Sequence, residues 1–194
     1  MTTTLRKRDK EKTQAEIIEA AINEFMAKGF IEASTLEIAK KASVAHSTIF
    51  FYFPTKADLI VSSIYTKLKS LASKLDEQSR GRVNIKLLCR VFIRETQRNE
   101  LFYSRLVREL PLLPIEIQRM VFGSLSGFSV HFVEAISRAQ KAGRVRKFLP
   151  RISMFYWFGM MHYLYSYSKV LGTKELLKQR EDEIIRFFMS ALRK

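Results

Sequence analysis

Between Gly29 and Pro54 the sequence has room for two short helices and one tight turn, and this stretch constrains the fold more than any other. Ser34-Thr35-Leu36-Glu37 has the form of a capping box, in which Ser34 caps and Glu37 reaches back three residues later. The helix it opens, Leu36 to Ala42, offers Leu36, Ile38 and Ala39 as buried contacts. Ser43-Val44-Ala45 is a turn with an apolar centre. The next helix, from about His46 to Phe53, ends before Pro54, because proline disfavours helical geometry at the residue preceding it. Upstream, after a basic tail from Thr2 to Lys10, Ile18, Ala21, Ile22 and Phe25 recur at helical spacing and make one apolar face. Gly29 stops that helix and Phe30 folds back onto the core. Two short helices joined by a three-residue turn and braced by a longer first helix form a helix-turn-helix unit.

The run Gly29-Phe30 … Ser34-Thr35-x-x-Ile38-Ala39-x-x-Ala42-x-Val44-Ala45-x-Ser47-Thr48-Ile49-Phe50-x-Tyr52-Phe53-x-Thr55-Lys56-x-x-Leu59 resembles the DNA-binding segment of the TetR family over residues 12–60, with no gap. The resemblance implies that the third helix enters the major groove. His46, Ser47 and Thr48 then approach bases and phosphates, Phe50 and Tyr52 lie against the sugar-phosphate backbone, and Thr35 and Lys56 clamp phosphates. Three positions depart from the family pattern: Ser43 stands where glycine is usual, Ala45 where serine is usual, and Phe50 where tyrosine is usual. Phe50 has no hydroxyl to give a phosphate, and Ala45 offers the third helix no side-chain cap.

Local chemistry bears on some of these roles independently. Lys56 lies in the first turn of a helix capped by Thr55, with Asp58 following, and a cation there opposes the macrodipole. A bound phosphate would resolve that conflict, while a solvated lysine head would live with it. Thr35 also reads as an ordinary first-turn threonine, Ser47 and Thr48 as helix-start residues, and Tyr52 as packing beneath the domain. His46 has no neighbours suited to a metal, and no metal or cofactor is expected.

From Thr55 onward the chain reads as helices with few breaks: to Ser79, Asn84–Arg98, Asn99–Leu110, Ile115 to about Ala142, Pro150–Leu171 and Thr173–Lys194. The fold class is therefore all-α, about nine helices, divided into a helix-turn-helix domain at 1–55 and a helical effector-binding and dimerisation domain at 56–194. Seven glycines and four prolines are too few for a turn-rich β architecture. The lone Cys89 cannot form an internal disulfide, and the basic N-terminus lacks the apolar run of a secretory signal, so a cytoplasmic location is expected. Seventeen uncharged residues follow Arg151, but His162, three serines and four tyrosines among them argue for a buried interface helix over a membrane span. The last helix carries a broad apolar face through Leu177, Ile184, Phe188 and Ala191 that needs a cover. The resemblance implies a homodimer in which the last two helices of each chain form a four-helix bundle.

The net charge of +15 suggests nucleic acid, yet its distribution points elsewhere. Residues 1–60 hold nine Lys/Arg against eight Asp/Glu, so nearly all the excess lies beyond them. Lys86, Arg90, Arg94 and Arg98 stand four apart on one helix, a spacing at which like charges repel. This ladder reads either as a solvated face or as a mouth for an anionic ligand such as an acyl-thioester, carboxylate or phosphorylated metabolite; flanking DNA is a third partner for the charge. Phe92, Phe102, Phe128 and Trp157 would then hold an apolar portion, with His131 and His162 as polar handles and Arg90 and Arg94 as anion contacts.

No phosphate-binding glycine loop, nucleophile elbow, His-Glu-x-x-His or cysteine pair is present, so an enzyme is not expected. The sequence predicts a ligand-responsive regulator, a repressor by expectation, binding a palindromic double-stranded DNA operator as a dimer and released by a small-molecule effector. A DNA-binding structural or cell-division factor without an inducer, and a basic body that binds membrane surfaces or acidic partners, are the alternatives.

Overall fold

The computed structural model describes residues 2–79, 84–124 and 126–193, with side chains at 2–8, 75–76, 78–79, 124, 126–128 and 173–174 outside the description. Eleven α-helices and one 3-10 turn (Leu110–Leu112) occupy the described residues, and none of these residues is in a strand. The helices are α1 Thr2–Lys28, α2 Thr35–Lys41, α3 His46–Tyr52, α4 Lys56–Ser79, α5 Ile85–Arg98, α6 Glu100–Glu109, α7 Ile115–Ser124, α8 Ser126–Lys141, α9 Pro150–Ser166, α10 Ser168–Leu171 and α11 Thr173–Leu192. The expected helix from Pro150 to Leu171 is divided into α9 and α10, while α7 and α8 lie on either side of residue 125, which is outside the description. The basic stretch from Thr2 is not a tail: its residues continue α1.

The chain folds as two compact units. The first comprises Met1–Lys67 and Glu109–Val121. Its core takes the expected Ala21, Ile22 and Phe25 of α1, with Ile17 in place of the expected Ile18, which is half-buried. Phe25 stacks on Phe30 with ring centroids 5.0 Å apart. Ile38, Ala39, Ile49, Phe53 and Leu59 complete the interior. The buried Glu24 carboxylate accepts from Lys41 Nζ at 2.5 Å, which ties α1 to α2.

The capping box expected at Ser34 is not made. Ser34 holds the N-cap position without a side-chain bond, and Glu37 pairs with Lys40 at 2.7 Å, which holds its carboxyl below the ordinary range. With Glu37 turned along the helix, Leu36 is also turned outward and is 46% exposed, not buried. A reciprocal cap forms instead at the start of α4. Thr55 donates through its backbone N–H (2.9 Å) and hydroxyl (2.7 Å) to Asp58 Oδ2, and Asp58 N–H returns a bond to Thr55 Oγ1 at 3.1 Å.

The second unit comprises Leu68–Arg108 and Phe122–Lys194. Leu88, Val91 and Phe92 of α5, Phe132 and Ile136 of α8, Trp157 and Met161 of α9, and Leu177 and Phe188 of α11 form its core. Cys89 lies in the same core, where burial pushes its thiol well above the ordinary range. No helix among the described residues is long and apolar enough to cross a membrane, α9 included.

Candidate functional site

The turn between α2 and α3 follows from where the chain must leave α2. Ser43 N–H donates to Lys40 O at 3.1 Å and Val44 N–H to Ala39 O at 3.0 Å, the paired bonds of a Schellman end. That end requires a left-handed residue, and Ser43 takes it with φ +55, at the position where glycine is usual in the family. α3 then starts at Ala45, which gives no side-chain cap.

Ile49 anchors α3 in the core, and Phe53 is buried one turn on. That leaves His46, Ser47 and Phe50 exposed and Thr48 half-buried, as a continuous outward face. His46 Nε2 and Thr35 Oγ1 share a hydrogen bond of 3.0 Å, joining the starts of α3 and α2, and the His46 ring meets Phe50 edge-on at 5.2 Å. Tyr52 is half-buried. Sequence reasoning passed over Phe51, which is 71% exposed, lies edge-on to Tyr52 at 5.2 Å and has Lys10 Nζ 5.4 Å from its ring centroid. The signal was available: once Ile49 and Phe53 take the inward positions at i and i+4, the intervening aromatics of Phe50-Phe51-Tyr52 have to lie outside or at the edge of the core.

Lys56 is half-buried, and its ammonium donates to Ile31 O at 2.7 Å. Burial pulls its pKa below the usual lysine value while Glu109 pulls it back up. Glu109 accepts the Phe30 and Ile31 N–H groups at 2.7 and 3.1 Å. Gly29, at φ +93, makes space for this: a Cβ there would lie 2.2 Å from Glu109 Oε1. The turn after α1 is thus held by one carboxylate and one ammonium, and Lys56 is placed beside the segment that carries Thr35.

In the second unit the structure separates the residues expected to bind a ligand. The α5 ladder is largely paired: Arg90 bonds Glu181 (2.8 Å) and Asp182, Arg94 bonds Glu181 (3.2 Å), and Arg98 bonds Glu95. Glu181 and Asp182 sit on α11 beside Arg180, whose φ −121 and ψ 17 break the helical path, while Glu95 is on α5 itself. Phe92 and Trp157 come together with ring centroids 6.3 Å apart, and Trp157 meets Phe188 at 5.1 Å. Phe102 is buried elsewhere, edge-on to Tyr103. His131 is half-buried, His162 is exposed on α9 and so is not set in an apolar wall, and the side chain of Phe128 lies outside the described residues. The Trp157 Nε1–H and Gln97 Nε2 are buried with no hydrogen-bond partner among the described residues. Nearby, Tyr165 donates to Thr96 Oγ1 at 2.7 Å, and burial raises the Tyr165 phenol above its ordinary range.

Residues 17–62 match the family model of bacterial regulatory proteins, tetR family. The fatty acid metabolism regulator protein of Bacillus subtilis (strain 168) is 30% identical over 71 residues, a stretch that covers 37% of each chain. The fold is shared much further. FadR of Bacillus subtilis, solved in complex with stearoyl-CoA, superposes with a TM-score of 0.80 over 92% of this chain and 98% of that one at 19% identity. The fatty acid degradation regulator FadR of Bacillus halodurans gives 0.76 over 91% and 94%, also at 19% identity. Residues 17–62 thus match the tetR family model, and over more than nine-tenths of its length the chain shares its fold with the solved FadR regulators.

Proposed function

We propose that the protein is a dimeric repressor that reads an inverted-repeat operator through α3 and releases it on binding an acyl effector with an anionic group. The observation that carries the DNA half is the outward face of α3, with His46, Ser47, Thr48 and Phe50 presented over the buried Ile49. His46, Ser47 and Thr48 read base edges; Thr35, Phe50, Tyr52 and Lys56 contact the backbone, with Phe51 beside them. Two copies place their α3 helices about 34 Å apart, one turn of duplex, which makes the preferred site an inverted repeat. Selection of bound duplexes from a random pool tests this: an enriched inverted repeat supports the reading, and enrichment of single half-sites counts against it.

The dimer is favoured by α9 and α11. Phe155, Tyr156 and Tyr163 are exposed on α9 and Phe187 is 72% exposed on α11. Tyr156 and Phe187 line a groove of about 610 Å³, the type of apolar face that a second copy covers. For the effector, the indole N–H of Trp157 amid Phe92 and Phe188, without a partner among the described residues, is a donor suited to an acyl carbonyl. The stearoyl-CoA held by the similar Bacillus subtilis FadR makes a long-chain acyl thioester the effector class to test. Such a ligand releases DNA only by as much as it prefers the conformer that binds DNA poorly. A regulator of this kind works where the chromosome is, in the cytoplasm.

A further inference from the structure

The large positive charge of the second unit is not spent on the α5 ladder alone. Arg90, Arg94 and Arg98 have carboxylate partners, whereas Lys86, the first rung, turns to a different place. It lines a groove of about 730 Å³ together with Arg138 of α8, Arg144 of the α8–α9 connection and Arg193 just beyond α11. No acidic residue lines this groove, and Lys86, Arg144 and Arg193 form no ion pair among the described residues. Its floor is apolar, with buried Ile85 and Val145 and half-buried Met189.

Helix electrostatics account for two of these cations. Arg138 in the last turn of α8 and Arg193 at the end of α11 complement the negative ends of their helices. Lys86 has the opposite position, in the first turn of α5, where a cation opposes the macrodipole and no acidic residue offsets it. Arg144 stands in a connection, where no helix end requires it. The connection is nonetheless rigidly held. Gln140 Nε2 donates to Arg146 O and Phe148 O at 3.0 and 2.9 Å, Arg146 N–H donates to Leu192 O at 3.1 Å, and Arg144 N–H donates to Ala139 O at 2.9 Å. Four cations therefore surround an apolar floor, and Lys86, Arg144 and Arg193 keep their charge uncompensated by any carboxylate among the described residues.

We propose that this groove is a second ligand site, for an amphipathic anion whose phosphate or carboxylate meets the rim and whose short apolar stem lies on the floor. Charge complementarity selects the headgroup, and Ile85, Val145 and Met189 select the stem. The site stands apart from the Trp157 core and does not depend on the effector reading.

Calorimetric titration of the full chain with decyl phosphate, below its micellar concentration and at physiological salt, tests it. The expected result is saturable binding that weakens at least about tenfold in Arg144→Glu/Arg193→Glu, since each reversal replaces an attraction with a repulsion. Both positions are exposed, so circular dichroism should show the variant folded. Decanol and inorganic phosphate should each bind at least about tenfold more weakly than decyl phosphate, because each satisfies only one half of the groove. Trp157→Phe should leave the binding unchanged. Equal binding by the charge-reversed variant, equal binding of inorganic phosphate, or loss of binding in Trp157→Phe would each overturn the proposal. Capture by phosphatidylglycerol vesicles without binding of soluble decyl phosphate would overturn it in favour of a membrane surface.

Discussion

Replacing Gly29 with alanine loads two separate penalties onto the turn after α1. The backbone there sits at φ +93, and holding an L-residue in left-handed geometry costs about 1–2 kcal/mol. The new Cβ would also lie 2.2 Å from Glu109 Oε1, so the carboxylate must withdraw from the Phe30 and Ile31 N–H groups. A hydrogen bond to a charged acceptor contributes about 1.5–3 kcal/mol; only the Phe30 bond counts, at the lower figure, because water replaces the carboxylate at the exposed Ile31. Together the penalties come to roughly 3 kcal/mol, a fall of about 6–12 °C in Tm for a chain of this length. A double-mutant cycle with Glu109→Ala, read by thermal unfolding, separates them. Without the carboxylate, Gly29→Ala should retain only the backbone penalty of about 1–2 kcal/mol. An unchanged cost of Gly29→Ala in the Glu109→Ala background would refute the claim that Glu109 fills the space behind Gly29.

Other expectations follow from the same contacts. Ser43→Gly should stabilise the first unit by about 0.5–1 kcal/mol, because glycine holds φ +55 without strain; unfolding with denaturant reads this directly. Lys56→Ala should weaken binding to all duplexes alike and lower the salt slope by about one, whereas His46→Ala should change base preference. If both variants merely lower affinity non-selectively, the assigned register of α3 is wrong. Cys89 should resist alkylation until the chain unfolds, since burial keeps it protonated. Its folded pKa is raised, so this contribution is complete below the unfolded thiol's pKa and is lost as pH rises above it, by up to about 1.4 kcal/mol per unit. A thiol that reacts at the rate of a free one in the native protein would contradict its burial.

The sequence was most readable where short-range chemistry decides the structure. The turn at Ser43, the uncapped start at Ala45 and the stop before Pro54 all follow from local residue type and spacing. It was less readable where a distant partner decides. The repulsive ladder on α5 is relieved by Glu181 and Asp182, about ninety positions away, and no periodicity in α5 announces them. Glu37 illustrates a close competition: Lys40 is as near along the helix as the Ser34 amide, and an ion pair forms in place of the cap. Phe51 was legible by elimination but was passed over, and Glu109 was invisible because its partners are backbone amides. The candidate effector residues fared less evenly. Phe92 and Trp157 share a core, while His162 faces solvent because α9 is apolar on nearly every side and its pattern does not say which side is covered.

The proposed regulation has an acyl anion control DNA reading by α3. The direct measurement is fluorescence-anisotropy titration of stearoyl-CoA into the complex of full-length protein with its selected inverted-repeat duplex, with coenzyme A alone as control. Release of the duplex is expected at about one acyl ligand per protomer, with no release by coenzyme A. A complex that persists unchanged at saturating stearoyl-CoA, or that is released equally by coenzyme A, would contradict it.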